Sequence, residues 1–246
     1  MNDSNGTGTD IPYTGAPRRE IKSYVLRGGR MTVAQARGVE EVFPRLGLEL
    51  AQGRLDLKAL FGREAPCVVE IGFGMGGSLL EQAMAHPDTD FIGIEVHVAG
   101  VGKLLDEADK AGLTNLRVFR EDALRVLDEA LPADSIDTLQ LFFPDPWPKK
   151  KHHKRRIVQP EFLARVARVL KPEGRFHMAT DWEAYAEHMA EVMEASPLFA
   201  NTAPEGSVYV PRPEFRPLTK FEQRGERLGH GVWDLIYVNQ TGTQPE

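Results

Sequence analysis

The chain of 246 residues has a single cysteine, Cys67, and so lacks the means to form an internal disulfide. It also lacks a run of about 18 consecutive apolar residues, the length that a membrane-spanning helix requires. The N-terminus has no basic start followed by an apolar stretch, the pattern of a secretory signal. These absences predict a soluble protein without a targeting segment. The lone thiol fits a reducing compartment, and we expect a cytoplasmic protein.

The composition also lacks a positive balance, since 30 Lys and Arg residues face 36 Asp and Glu residues and the net charge is −6. The basic residues are nevertheless concentrated, because residues 149–156 contain six of them, two histidines and no acid. Removing these six from the 30 leaves 24 basic against 36 acidic side chains. A basic island on an acidic body focuses positive potential and favours a polyanionic partner. The alternative is a solvated loop whose charge is incidental.

Composition divides the chain into three parts. Residues 1–17 contain almost no apolar side chain and are predicted to be a disordered tail. Residues 18–50 are predicted to hold a basic arm and then a helix, which Thr32 caps and which continues to about Leu46. Residues 51–240 are predicted to form the main domain, and they show no internal repeat.

From residue 66 onward, short apolar segments alternate with segments of helical periodicity. Strands are predicted at 67–71, 91–95, 116–119, 136–143, 174–180 and 232–238, with a strand-like piece at 208–210. Helices are predicted at about 78–86, 98–111, 122–130, 160–170 and 183–195, with a polar helical piece near 219–228. The alternation indicates an α/β fold, a mostly parallel doubly wound sheet with helices on both faces. The last portion is expected to close the C-terminal edge with an antiparallel strand.

The first predicted strand runs into a glycine-rich turn, Glu70-Ile71-Gly72-Phe73-Gly74-Met75-Gly76-Gly77. Glycines here let the chain turn sharply and let a ligand approach the backbone before a helix N-terminus. The spacing fits the dinucleotide fingerprint, so the glycines alone do not separate NAD from S-adenosylmethionine. Glu70 favours the latter, because a carboxylate at the strand end suits a cationic group better than a pyrophosphate.

Two further acids follow the next predicted strands. Glu95 ends the second strand, where a carboxylate can accept both hydroxyls of a ribose. Asp122 follows the third strand, where it can accept from an adenine amino group. Either residue alone could instead be a helix N-cap or lie in a solvated turn. Acids at the carboxyl ends of successive strands together favour a ligand crevice.

The fourth predicted strand leads into Phe142-Phe143-Pro144-Asp145-Pro146-Trp147-Pro148-Lys149 and the basic island. Prolines on both sides of Asp145 restrict the backbone where an active-site loop would leave the sheet. Such rigidity could hold a carboxylate against the edge of a base. Trp147 could stack on a base or simply pack in the core.

This proline–basic loop closely resembles that of the tRNA (guanine-N7)-methyltransferase family. The resemblance covers roughly residues 20–238, and the loop is much more specific than the glycines. Further matching motifs are Arg27-Gly28-Gly29-Arg30-Met31-Thr32, Val158-Gln159-Pro160-Glu161-Phe162-Leu163, Thr180-Asp181, Thr219-Lys220-Phe221-Glu222 and Arg227-Leu228-Gly229-His230.

The resemblance implies a Rossmann-like class I methyltransferase fold, S-adenosylmethionine as donor and a guanine in the tRNA variable loop as target. It implies donor contacts by Glu70, Gly72, Gly74, Gly76, Glu95, Asp122 and Asp145, with Asp145 as the catalytic residue. It implies substrate contacts by Lys149, Asp181, Thr219, Lys220, Phe221 and Glu222. RNA would bind to Lys151, His152, His153, Lys154, Arg155 and Arg156. The chain is expected to act as a monomer, with a partner subunit left open.

Guanine N7 carries no proton, so its methylation requires positioning and electrostatics rather than a general base. We hypothesise that Asp145, with Asp181, orients the guanine and stabilises its developing positive charge. No metal is expected, because His152 and His153 lack Cys or acidic partners nearby in sequence. Alternatives are methylation of another RNA, a protein or a small molecule, an NAD(P)-dependent oxidoreductase, and a non-catalytic RNA-binding protein.

Overall fold

A computed structural model describes residues 22–25, 29–214, 216–217, 222 and 231–242. The predicted disordered tail lies outside these residues, as does the predicted helical piece near 219–228 apart from Glu222. No helix in the described ranges combines the length and apolarity that crossing a bilayer demands.

The described residues form an eight-stranded sheet, whose strands are β1 (Gly47–Leu48), β2 (Cys67–Ile71), β3 (Asp90–Ile94), β4 (Leu116–Phe119), β5 (Ile136–Phe142), β6 (Leu170–Thr180), β7 (Phe199–Asn201) and β8 (Trp233–Asn239). Their order in the sheet is β1-β4-β3-β2-β5-β6-β8-β7. The neighbouring strands from β1 to β6 are parallel, whereas β8 runs antiparallel to both β6 and β7. The predicted mostly parallel α/β sheet is thus confirmed.

Helices cover both faces of this sheet, as the alternating pattern predicted. The strands are apolar throughout because both faces of the sheet are buried. In β3, for example, Phe91 packs in the core on one face, while Ile92 and Ile94 belong to the other core. The core that contains Phe91 is completed by α4 (Gly77–Ala85) and α5 (Val98–Lys110). The core that contains Ile92 and Ile94 is completed by α7 (Pro160–Val169) and α8 (Glu183–Glu194). Between α5 and α7 in the chain lies the short α6 (Ala123–Arg125).

The helix predicted from Thr32 to Leu46 is present as three consecutive segments. These are α1 (Val33–Arg37), a π-helical turn (Gly38–Val42) and α2 (Phe43–Leu46); α3 (Leu57–Phe61) follows later. Thr32 caps α1 by accepting from the backbone N–H of Gln35 at 3.2 Å. The helix packs so closely on α5 that a Cβ at Gly38 would lie 1.9 Å from the carbonyl oxygen of Gly102. Since β1 follows directly and pairs with β4, the sheet begins before residue 51, the predicted start of the main domain.

The C-terminal edge differs in detail from the prediction. The antiparallel C-terminal strand is present as β8, but the short β7 lies outside it at the edge. The strand-like piece at 208–210 makes only an isolated bridge, from Val210 to Asp234. The strand order reverses at β2. The strand that follows it in the chain, β3, lies on one side of β2, whereas β5 lies on the other side. Ligands of open α/β sheets bind outside the carboxyl ends of strands at such a reversal.

Candidate active site

A cavity opens at this reversal, at the carboxyl edge of the sheet. Its lining includes Gly72 after β2, Glu95 after β3, Asp122 after β4 and Asp145 after β5. Four residues predicted from separate motifs are therefore brought together. The lining also includes Tyr24 and the neighbouring Ser23, which no motif predicted.

The glycine turn is fixed to the sheet by Glu95. The Glu95 carboxylate accepts from the backbone N–H groups of Gly74 at 2.9 Å, Val96 at 2.7 Å and His97 at 2.9 Å. Gly74 adopts φ +58°, in the left-handed region that favours glycine. A Cβ at Gly100 would lie 2.0 Å from the Gly74 carbonyl oxygen, so α5 presses on the turn from behind. Three of the roughly four acceptor positions of the carboxylate are used, which leaves one for a ligand hydroxyl.

Glu70 is a buried carboxylate with an unsatisfied oxygen. It is 3% exposed, and among the described residues its Oε2 has no hydrogen-bond partner. Burial, with a smaller contribution from the Glu95 charge, raises the pKa of Glu70 to about 8. A cationic group bound beside Glu70 would satisfy this oxygen, whereas a pyrophosphate would be repelled by the ionised form. The residues at this end of β2 therefore fit the amino group of S-adenosylmethionine.

Asp122 caps α6, which confirms the N-cap role left open for it. Its Oδ1 accepts from the backbone N–H of Leu124 at 3.0 Å. Its Oδ2 accepts from the Tyr24 hydroxyl at 3.2 Å and lies 3.7 Å from the ammonium of Lys22. The cap fixes the orientation of the Asp122 carboxylate at the cavity. A ligand that binds to Oδ2 would lie next to the Tyr24 hydroxyl.

The proline loop leaves β5 in a strained conformation. Phe143 and Trp147 adopt φ +50° and +46°, values that non-glycine residues rarely take. Asp145 lies between them, exposed and at the rim of the cavity. Strain of this kind persists only where the surroundings enforce it. Here it presents the Asp145 side chain outward from the sheet.

The same loop holds the segment Lys22–Val25, which we call the strap, across the cavity. Trp147 donates its indole N–H to the Ser23 carbonyl at 3.0 Å. Arg155 donates to the carbonyls of Lys22 at 2.9 Å and Tyr24 at 3.0 Å, and its guanidinium lies 3.8 Å from the Trp147 ring centroid. Arg155 covers that ring and the indole N–H is used, so Trp147 binds the strap here, but it is half-buried and belongs to neither apolar core.

The basic island separates into exposed lysines and inward-facing arginines. The exposed lysines are Lys150, Lys151 and Lys154 of the 3₁₀ helix Lys150–Arg155, together with Lys149 directly before it. Arg156, in contrast, is 3% exposed. Its guanidinium donates to the carbonyls of Pro146 at 3.0 Å and Ala184 at 3.2 Å. The predicted RNA contact of Arg156 therefore needs correction, because a guanidinium enclosed by protein carbonyls is not available to a phosphate.

The histidines of the island are half-buried. Desolvation, together with the positive charges of Lys151 and Arg155, lowers the pKa of His152. His152 is therefore neutral in neutral solution and offers a hydrogen bond rather than a charge.

The remaining predicted substrate residues have different surroundings. Asp181 follows β6 and is exposed. Glu222 is 2% exposed, and both of its carboxylate oxygens accept from Arg216 at 2.7 Å. The predicted contact of Glu222 with substrate is therefore not supported, because its side chain is buried and paired with Arg216. Thr219, Lys220 and Phe221 lie outside the described residues.

Sequence reasoning missed the strap and Arg216. The tyrosine of the strap had no periodic or motif signal, because its partners lie about a hundred residues away, as the contact with Asp122 shows. The only sequence signal for Arg216 is weak: it lies six residues before Glu222, a possible ion-pair partner. The pairing itself is revealed only by the tertiary structure.

Comparison with solved structures supports the fold. The 16S rRNA methyltransferase KamB is 18% identical to this chain and aligns with a TM-score of 0.54, covering 74% of this chain and 92% of its own. This likeness shows the fold: the doubly wound sheet of the present chain is that of the class I methyltransferases.

Sequence comparison identifies the family within that class. A family described as "Putative methyltransferase" matches residues 64–235. A tRNA (guanine-N(7)-)-methyltransferase of Chromohalobacter salexigens is 72% identical over 97% of this chain and 99% of its own length. One of Shewanella amazonensis is 54% identical over 95% and 98%. The chain belongs to the tRNA (guanine-N7)-methyltransferase family.

Proposed function

We propose that the chain transfers the methyl group of S-adenosylmethionine to N7 of a guanine in tRNA, with the variable loop as the target region. The observation that carries the proposal is the cavity itself. It gathers Glu95 and Asp122 with Asp145, and the loop that presents Asp145 continues into four exposed lysines. A nucleoside site thus opens beside a surface suited to a polyanion.

The donor would be held by the carboxylates at the strand ends. Glu70 would receive its amino group, which supplies the missing partner of Oε2. The free acceptor position of Glu95 suits a ribose hydroxyl, and Asp122 suits the adenine amino group, with Tyr24 beside it. The glycine turn keeps side chains out of the space that the ligand needs. When bound, the donor supplies a methyl group on a sulfonium centre.

Asp145 would act on the acceptor base. N7 needs no deprotonation, so the protein has to place the guanine and favour the positive charge that the base gains. A carboxylate is better matched to that charge than to neutral guanine. The exposure of Asp145 at the cavity rim supports this role, because the base of a macromolecule must be reached from outside. Asp181, exposed after the neighbouring β6, would assist.

The exposed lysines would hold the tRNA backbone. Lys149, Lys151 and Lys154 extend from the Asp145 loop without an acid among them. Lysines at such a place neutralise phosphates and release counterions, and folded RNA is held largely in this way. We further propose that the reaction takes place in the cytoplasm and that the chain acts as a monomer.

The test is to incubate unmodified tRNA with donor carrying a labelled methyl group and then to cleave with borohydride and aniline, which break the chain at 7-methylguanosine. We expect incorporation of label and one cleavage position, in the variable loop. Label without cleavage would assign another acceptor atom and contradict the proposal. Absence of label with folded protein and intact tRNA would contradict methylation of tRNA itself.

A further inference from the structure

Arg216 lies at the centre of a buried charged cluster. Its side chain is 0% exposed, which is rare for an arginine. The guanidinium donates to both carboxylate oxygens of Asp234 at 2.7 and 2.8 Å and to both oxygens of Glu222 at 2.7 Å. His177 shares Asp234, with its Nε2 2.8 Å from Oδ1. Arg216 thus joins Asp234 of β8 to Glu222, and His177 of β6 is linked to the cluster through Asp234.

The cluster contacts the cavity wall through two phenylalanines. The guanidinium carbon of Arg216 lies 6.0 Å from the ring centroid of Phe142 and 5.8 Å from that of Phe143. His177 meets Phe142 edge-on, with ring centroids 4.8 Å apart. Both phenylalanines line the cavity, and the strained Phe143 precedes Asp145 by two residues. The turn that presents Asp145 therefore rests against Arg216.

Stability alone explains this cluster poorly. Buried ion pairs lose much of their attraction to desolvation, and apolar side chains of similar volume often stabilise a core as well or better. An arginine between two carboxylates does supply fixed geometry, because its donors lie in one rigid plane. The guanidinium that is fixed in this way faces the rings of Phe142 and Phe143.

We propose that Arg216 is a positioning residue for methyl transfer. Through Phe142 and Phe143 it fixes the turn that places Asp145 against the acceptor base. Arg216 also pairs with Glu222, the last of the four residues 219–222 to which the family resemblance assigns substrate contacts. Glu222 acts here as the partner of Arg216. The proposal rests on the proposed function, since Asp145 is placed for the base that is methylated.

Arg216→Lys is the informative variant, because lysine keeps the charge but cannot form two bidentate pairs. Arg63→Lys is the matched control, since Arg63 donates twice to the buried Asp90, at 3.0 and 2.6 Å, at the opposite edge of the sheet. We expect Arg216→Lys to lower kcat on the order of 10- to 100-fold, as small misplacements do, with the KM for the donor nearly unchanged. Arg63→Lys should change neither value. Asp234→Asn offers the same test should Arg216→Lys fail to fold.

Assays are run well below the melting temperature of each variant. Equal kcat values for Arg216→Lys and Arg63→Lys would overturn the proposal. Wild-type protein that does not methylate tRNA would instead refute the proposed function. In that case a crystal structure of the Arg216→Lys variant decides, because the proposal requires Phe143 to leave its positive φ and Asp145 to move, and an unmoved turn contradicts it.

Discussion

The two sides of the cavity are built in different ways. The donor side, formed by Gly72 of the glycine turn and by Glu95, lies at the ends of adjacent parallel strands, and the buried Glu70 comes two residues before Gly72. The acceptor side, formed by residues 143–156, is held by the long side chains of Arg155 and Trp147, which bind the distant strap. Local sequence therefore encodes the first side, and tertiary contacts complete the second.

The largest contrast between the two sides should come from Asp145→Ala. Removing a carboxylate that stabilises charge in the transition state should lower kcat by on the order of 10²- to 10³-fold. The donor dissociation constant, measured by calorimetry, should stay within about threefold of wild type, since the donor is held mainly by other residues. Asp88→Ala, an exposed acid at the opposite edge of the sheet, is the control and should match wild type. Near-normal kcat in Asp145→Ala would remove Asp145 from the chemistry.

Gly100→Ala should damage the donor side specifically. The added methyl group would meet the Gly74 carbonyl oxygen at 2.0 Å and push the glycine turn toward the cavity. Donor affinity should fall by about tenfold or more, since a shift near 1 Å disturbs ligand geometry strongly. Gly102→Ala creates a similar clash on the same helix, 2.1 Å from the Gln35 carbonyl oxygen. It should lower the melting temperature without that loss of affinity, and equal donor affinities in the two variants would argue against the assignment of the turn.

The exposed lysines offer a smaller and graded test of the acceptor side. Replacing Lys151 and Lys154 together with Ala should reduce the slope of log affinity for tRNA against log salt by about 2. Lys58→Ala with Lys110→Ala removes the same charge from exposed positions elsewhere and should leave the slope unchanged. Arg156→Ala should lower stability rather than the slope, because that guanidinium is buried. A full wild-type slope in the Lys151 and Lys154 variant would refute the proposed RNA surface.

Much of the donor side could be predicted from sequence, and less of the acceptor side. Glycines and acids at strand ends follow from apolar segments that are easy to recognise, and β2 and β4 have their predicted bounds. The two-residue β1 and three-residue β7 are too short to show any periodicity. Arg156 looked like part of a solvated basic run, and only the carbonyls of Pro146 and Ala184 reveal its burial.

The smallest effect concerns the proton on Glu70. With its pKa raised to about 8 against 4.5 in an unfolded chain, Glu70 remains protonated at pH 7 in the free protein. Folding stability therefore falls as pH rises from about 4.5 to 8. A bound ammonium group favours the carboxylate, so donor binding at pH 7 should release close to one proton. Calorimetry in buffers of different ionisation enthalpy counts that proton. Glu70→Gln should release none, and absence of release from wild type would contradict the pairing.

The most direct measurement is a crystal structure with the demethylated donor, S-adenosylhomocysteine. The account predicts one ligand spanning the cavity, with its amino group at Glu70, its ribose at Glu95, its adenine at Asp122 and its sulfur facing Asp145. A ligand bound elsewhere, or one whose sulfur points away from the Asp145 loop, would contradict it.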